Sequence, residues 1–95
     1  MDFKIQQEAS SSKGRFYIEK EGTTLAEMTY SVAGSSKIII DHTEVDDSLR
    51  GEGVGDKLLK ALIEYVRKEN IKVLPLCPFA KARIEKTEEY QDVLF

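Results

Sequence analysis

The chain contains the glycine-rich stretch Arg50-Gly51-Glu52-Gly53-Val54-Gly55, which lies between the apolar segment Ile38-Ile39-Ile40 and a segment with helical periodicity. The first backbone N–H groups of a helix have no partner inside the helix, and they carry roughly half a positive charge, so a helix start binds anions. Glycine lacks the Cβ atom that would keep a bulky phosphate away from the backbone. Arg50 adds a cation whose forked donors match phosphate oxygens. The stretch therefore predicts a binding site for a phosphate or a pyrophosphate.

The segment after the glycines is predicted to be an amphipathic helix from Glu52 to Lys68. Its apolar residues recur at intervals of three and four positions, and they are Val54, Leu58, Leu59, Leu62, Ile63 and Val66. A strand is predicted next, over residues 71–77, followed by a short helix from Phe79 to Lys86 and a polar tail. A strand–helix–strand unit with so long a crossover requires its two strands to be parallel. Pro75 cannot donate to a ladder, so the last strand lies at an edge or leaves its neighbour near Pro75.

Four further strands are predicted before the helix, over residues 3–7, 15–19, 24–32 and 37–45. The connections between them are short, which predicts an antiparallel meander. The β-branched run in the fourth strand predicts a central, buried position. The expected fold is therefore an α/β (α+β) domain over residues 1–95, in which a mixed, mainly antiparallel sheet carries one long helix between parallel strands four and five.

Composition narrows the class of protein. The chain has 95 residues and a net charge of −3 with no basic stripe, so nucleic acid is not expected as a partner. No apolar run approaches the roughly 20 residues that span a bilayer, and Met1-Asp2-Phe3-Lys4 lacks the features of a secretory signal, so no membrane association and a cytoplasmic location are expected. Cys77 and His42 are the single cysteine and the single histidine, which argues against a disulfide and against a metal site.

Two familiar phosphate-binding motifs do not fit the glycine stretch. A P-loop requires Gly-Lys followed by serine or threonine, but here Lys57 is followed by Leu58. A dinucleotide-binding fold requires Gly-x-Gly-x-x-Gly and an acidic residue at the end of the next strand. The glycines here are spaced Gly51-x-Gly53-x-Gly55, and the next strand ends at Leu76-Cys77-Pro78 without a carboxylate. Neither alternative is supported by the residues.

The pattern Arg-x-x-Gly-x-Gly is met by Arg50, Gly53 and Gly55, and in this respect the chain resembles the GNAT superfamily of acetyl-CoA-dependent N-acetyltransferases. The segments Asp41-His42-Thr43-Glu44 and Cys77-Pro78-Phe79-Ala80 make it similar to the small YjdJ-type branch of that superfamily. The likeness covers most of Ile38 to Ile84. It implies an enzyme that binds acetyl-CoA or coenzyme A and transfers the acetyl group to an amine acceptor, which the sequence does not identify.

The resemblance also implies which residues hold the coenzyme. The expected contacts are Val45, Arg50, Gly51, Glu52, Gly53, Val54, Gly55, Asp56 and Phe79. Full-length relatives have further strands that build much of the acceptor pocket, so a non-catalytic acyl-CoA binding or sensing module is the alternative, and a structural domain that binds a generic anion is a third. A monomer or a weak homodimer is expected.

Cys77 and His42 are the predicted catalytic residues. Cys77 would lie at the carboxyl end of a parallel strand, where ligands usually bind. It could act there as a nucleophile that takes the acetyl group and passes it on, or as an acid or base beside that group. The alternative for Cys77 is a small buried apolar residue. His42 would share a strand face with Ile38, Ile40 and Glu44 and could act as a base for Cys77 or for an amine; the alternative is a hydrogen bond to Glu44. Glu44 could itself act as a base, and the alternative is a solvated or ion-paired strand residue. Tyr90 could act as an acid, and the alternative is packing of the tail.

Overall fold

Five strands form one sheet in the computed structural model, which describes residues 4–95. They are β1 Gln6–Ala9, β2 Lys13–Lys20, β3 Thr23–Val32, β4 Lys37–Val45 and β5 Lys72–Pro75, in that spatial order. The pairs from β1 to β4 are antiparallel, whereas β4 and β5 are parallel. The predicted fold class is confirmed. The first predicted strand began at Phe3, which lies outside the described residues.

Two helices complete the architecture, α1 Val54–Glu69 and α2 Pro78–Lys86. The start of α1 is two residues later than predicted because Gly53, with φ 69°, adopts a left-handed conformation at the N-cap. The helix ends at Asn70, also left-handed, whose N–H bonds to carbonyls of the last turn. Within residues 4–95, neither helix is long and apolar enough to cross a membrane.

The long helix packs its apolar stripe on one face of the sheet, which we call the inner face; the opposite face is the outer face. Leu58, Leu62 and Val66 are fully buried there against Met28 and Ile40. Burial of each large aliphatic side chain stabilises the fold by about 1.5–3 kcal/mol. The helical periodicity read from the sequence is therefore the packing face of α1.

A β-bulge interrupts the alternation of β4. Tyr30 pairs with Ile40 but Thr29 pairs with His42, so Asp41 has no counterpart on β3. Before the bulge Ile40 faces inward and is fully buried; after it, alternation has shifted by one residue. His42 consequently lies on the outer face, and the prediction that it shares a face with buried isoleucines was wrong.

The residues after the bulge follow the shifted pattern. Thr43 pairs with the fully buried Met28, and Val45 packs against the core. Glu44 lies on the outer face beside His42, as its contact with the histidine ring shows. The predicted proximity of His42 and Glu44 is thus confirmed.

The sequence predicted only a polar tail after α2, but the structure shows an ordered segment that contributes to the core. It forms a 3-10 turn over Glu88–Val93, and Val93 is buried in the core. The N–H of Phe95 donates to the carbonyl of Val73, so the segment runs along the free edge of β5. Arg67 of α1 holds it through two hydrogen bonds to the Asp92 carboxylate, of 2.7 and 3.1 Å.

This ion pair makes a pH-dependent contribution to stability. The hydrogen bonds from Arg67 lower the pKa of Asp92. Because the pKa is lower in the folded state, the contribution is present above the ordinary aspartate pKa of about 4 and is lost as the pH falls through the folded value. The Tm of Asp92→Asn should lie below that of the wild type at pH 7, and the gap should close below about pH 4. Glu85→Gln, at an exposed carboxylate of α2, is the control; an equal pH-dependent gap for both variants would contradict the assignment.

Candidate functional site

A groove of about 490 Å³ lies between the second half of β4, the glycine stretch and α2. Thr43 and Val45 line it from β4, and Phe79 and Arg83 line it from α2. The remaining wall comes from residues 49–51 and 53–56. Eight of the nine predicted coenzyme contacts therefore surround one groove, and Glu52 is the one that does not line it.

The glycine stretch takes a conformation that needs glycine at two positions. Gly51 has φ 83° and Gly53 has φ 69°, in the left-handed region that disfavours side chains. A Cβ atom placed on either residue would meet nothing within 4 Å among the described residues. The space above both glycines is therefore open, so a ligand can approach the backbone closely.

The start of α1 presents free donors to this space. Gly53 provides no side-chain cap, and the N–H of Lys57 makes the first helical bond, to the carbonyl of Gly53. The N–H groups of Val54, Gly55 and Asp56 precede that bond, so they have no acceptor within the helix. Together with the helix dipole they form an anion site.

Arg50 lies at the mouth of the groove. Its side chain is 78% exposed, and its Nε atom is 2.9 Å from Oδ1 of Asp47. An exposed pair of this kind is worth about 0–1 kcal/mol, so it does not prevent the guanidinium from moving to a phosphate. Asp46 anchors the preceding turn, because its carboxylate accepts hydrogen bonds from the N–H and hydroxyl of Ser48, and these bonds lower the pKa of Asp46.

Gly55 serves packing. A Cβ atom on Gly55 would lie 2.7 Å from Cζ of Phe79, well inside contact distance. The missing side chain lets the Phe79 ring lie against the first turn of α1. Arg83 lies 5.3 Å from the centre of that ring and pairs with Asp56 at 3.2 Å. These contacts join α2 to α1 and fix the width of the groove.

The strands β4 and β5 separate at one end of the groove, and we call this opening the fork. Their pairing ends at Ile40 and Pro75, and the N–H groups of Leu76 and Cys77 both donate to the Ile40 carbonyl, at 3.0 and 3.1 Å. Both expectations for Pro75, an edge strand and a separation nearby, are confirmed.

Backbone groups of β4 point into the fork. The N–H of Asp46 donates to Leu25 on β3, so the preceding carbonyl, that of Val45, points the other way. The N–H of Val45 points to the same side as its carbonyl, away from β3 and into the fork. Because the direction alternates along a strand, the N–H and carbonyl of Thr43 also point into the fork. An extended ligand arm could pair with this free edge as an added strand does.

Cys77 lies at the base of the fork, at the carboxyl end of β5, as predicted. It is 4% exposed, and its Sγ atom is 3.2 Å from Oγ1 of Thr43. The hydroxyl of Thr43 was missed from the sequence, because only the bulge turns Thr43 inward. Thr43 and Cys77 together place a hydroxyl and a thiol at the point where groove and fork meet.

His42 is not part of this pair. Its Nε2 atom lies 2.7 Å from Oε1 of Glu44, and the histidine side chain is 62% exposed on the outer face. The structure therefore does not bring His42 and Cys77 together, since they lie on opposite sides of β4. The contact with Glu44 is the one expected for a strand histidine bonded to its neighbour. Across residues 4–95, no cluster of three or more metal-ligating side chains is found.

A family model and a solved structure both relate this chain to GCN5-like acetyltransferases. Residues 15–93 match the family model described as GCN5-related N-acetyl-transferase. A GCN5-like protein from Staphylococcus aureus, solved by NMR, is 45% identical with a TM-score of 0.76, over 98% of this chain and 88% of that one. Protein NATD1 from Gallus gallus is 28% identical over 83 residues, which is 86% of this chain and 76% of the relative.

More distant structures share the fold. The ribosomal-protein-S18-alanine N-acetyltransferase from Escherichia coli is 20% identical with a TM-score of 0.59, and the match covers 68% of this chain but 42% of that one. At this identity the likeness concerns architecture alone. The family model, in contrast, spans both the glycine stretch and the fork. The chain therefore belongs to the GCN5-related N-acetyltransferase family.

Proposed function

We propose that this protein binds acetyl-CoA in the groove and transfers the acetyl group to an amine. The observation that carries the proposal is the continuity of two features, an anion site at the start of α1 and a free strand edge at the fork, with Thr43 and Val45 belonging to both. Acetyl-CoA has the matching parts, a pyrophosphate joined to an extended arm that ends in the thioester. The Cys77-Pro78-Phe79-Ala80 segment supports membership of the YjdJ-type branch. We further propose that the protein acts in the cytoplasm as a monomer or a weak homodimer.

The pyrophosphate would bind at the N–H groups of residues 51 and 53–56, with Arg50 as the mobile cation. Open space above Gly51 and Gly53 supports this fit. The extended arm would pair with the backbone of Val45 and Thr43 along the free edge of β4. Phe79 would form the opposite wall, where Gly55 leaves room for its ring.

Acetyl-CoA supplies a thioester carbonyl that an amine can attack. The amine nitrogen forms a bond to the acetyl carbon, the carbon–sulfur bond breaks, and the proton lost by the amine is balanced by the thiol that leaves. We place Cys77 beside the thioester, with its Sγ atom positioned by the Thr43 hydroxyl. His42 faces the other side of the sheet, so any role as a base would be exerted on the acceptor.

The alternative is a non-catalytic acyl-CoA binding or sensing module. The separation of His42 from Cys77 favours it, because no ready acid–base pair among the described residues borders the fork. The two hypotheses differ in one measurement. Release of free coenzyme A above background, with a panel of amines, supports transfer, whereas tight acetyl-CoA binding without release supports the binding module.

Calorimetric titration tests the site itself. Acetyl-CoA should bind more tightly than pyrophosphate, because the latter cannot use the fork. Arg50→Glu should weaken acetyl-CoA binding by about 10- to 100-fold, since a charge-assisted hydrogen bond contributes about 1.5–3 kcal/mol. Lys20→Glu makes the same charge change at the exposed end of β2 and should bind normally. Absence of acetyl-CoA binding at millimolar concentration would reject the proposal.

A further inference from the structure

A second groove, of about 970 Å³, lies on the outer face of the sheet and crosses β1 to β4. Its polar lining includes Glu8, Lys13, Arg15, Thr29, Ser31 and Asp41. It shares no lining residue with the groove beside α1. Its volume is in the range of about 300–1,000 Å³ that is usual for small-molecule sites.

Two of the four charged side chains that line this outer groove, Glu8 and Arg15, are already paired with each other. Arg15 lies 2.7 Å from Glu8 and 3.4 Å from Glu27, and its guanidinium stacks 3.9 Å above the ring of Tyr17. Arg15 is therefore paired with two carboxylates, which leave this cluster with one net negative charge. The charged lining residues outside the cluster are Lys13 and Asp41.

These two charges stand on either side of Ser31. Lys13 on β2 pairs in register with Ser31 on β3, and Asp41 on β4 accepts a hydrogen bond of 2.6 Å from the Ser31 hydroxyl. Neighbouring strands are about 4.8 Å apart, so the Lys13 and Asp41 backbones are separated by roughly 10 Å. A ligand a few bonds long can contact both side chains at once.

The Asp41 end of the outer groove adjoins the fork. Asp41 is the bulge residue, and it directly follows Ile40, whose carbonyl receives the last N–H groups from the β5 side. The bulge therefore places the Asp41 carboxylate on the outer face, one residue after the point where the pairing of β4 with β5 ends.

We propose that the outer groove binds the acetyl acceptor, and that the acceptor is a small zwitterionic amine whose ammonium pairs with Asp41 and whose anionic group pairs with Lys13. This proposal rests on the proposed function, because the fork is taken as the position of the acetyl group. It names the chemical class of the acceptor, an amino acid or a similar molecule with one amine and one acid.

Matched acceptors test the charge pattern. We would compare 4-aminobutyrate, butylamine and 1,4-diaminobutane, which differ at the end remote from the reacting amine. The wild type should prefer 4-aminobutyrate in kcat/KM. In Lys13→Glu the preference should turn toward the diamine, by up to about fivefold in the ratio, because one exposed charge pair is worth up to about 1 kcal/mol. Lys20→Glu carries the same charge change on the same strand outside the groove and should keep the wild-type preference.

Separate readouts distinguish failure of the two proposals. If the wild type fails to bind acetyl-CoA by calorimetry, the proposed function fails. If it binds and transfers but Lys13→Glu leaves the preference unchanged, the outer groove is not the acceptor site. If it binds without turnover, NMR titration of the coenzyme A complex with 4-aminobutyrate decides. Shifts at Lys13, Ser31 and Asp41 that are lost in Lys13→Glu support the groove, and their absence at millimolar ligand overturns it.

Discussion

Replacement of Gly53 with valine should abolish acetyl-CoA binding, with a loss of about 100-fold or more. Gly53 has φ 69°, a conformation that is a true outlier for a β-branched residue. The new side chain would project into the open space where the ligand phosphates approach the start of α1. Loss of two charge-assisted hydrogen bonds, at about 1.5–3 kcal/mol each, accounts for at least this factor. Calorimetric titration with acetyl-CoA measures it.

Gly34→Val is a matched control for backbone strain. Gly34 has φ 82°, and a Cβ atom placed on it, as on Gly53, would meet nothing within 4 Å among the described residues. It lies between β3 and β4, away from the groove. Both variants should lose Tm by several degrees, since each kcal/mol of strain shifts a domain of this size by about 4–8 °C. Equal loss of acetyl-CoA binding in the two variants would show that strain alone, not access to the helix start, explains the effect.

Gly55→Val should lose more stability than Gly53→Val or Gly34→Val, about 3 kcal/mol. Even a single Cβ atom would lie 2.7 Å from Cζ of Phe79, and valine adds two methyl groups to the same contact. Overpacking of this kind costs about 1–3 kcal/mol and occasionally more. The gain in helix propensity over glycine is well below about 1 kcal/mol, so the clash decides the sign. Thermal denaturation should show a fall of roughly 10–20 °C.

A double-mutant cycle identifies the cause of that loss. Phe79→Ala removes the ring, so Gly55→Val in that background should be milder by about 1–3 kcal/mol than in the wild type. Gly53→Val, which makes no contact with the ring, should show no such coupling. Additive effects of Gly55→Val and Phe79→Ala would mean that the glycine is required for another reason.

Much of the fold could be predicted because its signals are local. The helical period from Val54 to Val66 matches the buried stripe of α1, and the run in β4 matches a paired interior strand. The crossover rule led to the parallel pairing of β4 and β5. The tail was harder to predict, because its anchor joins Arg67 to Asp92, and a contact over 25 positions leaves no periodic trace.

The candidate site divides in the same way. The glycine stretch could be placed because backbone conformation and anion binding both favour glycine at the same positions, Gly51 and Gly53. The inward direction of the Thr43 hydroxyl and the outward direction of the His42 ring could not be predicted, because the strand was assumed to alternate without interruption. Gly55 was predicted as a phosphate contact, whereas its clearest structural role is to accommodate Phe79. That distinction depends on where α2 returns in space.

The bulge at Asp41 reverses which positions of β4 face inward. Even-numbered residues, Ile38 and Ile40, enter the core before it, and odd-numbered residues, Thr43 and Val45, turn inward after it. One strand can thereby contribute to the hydrophobic core in its first half and to a ligand site in its second. An alignment or a design that kept every residue of β4 but ignored the bulge would place His42 and Glu44, in place of Thr43 and Val45, at the inward positions. Two ionisable side chains would then point toward the interior.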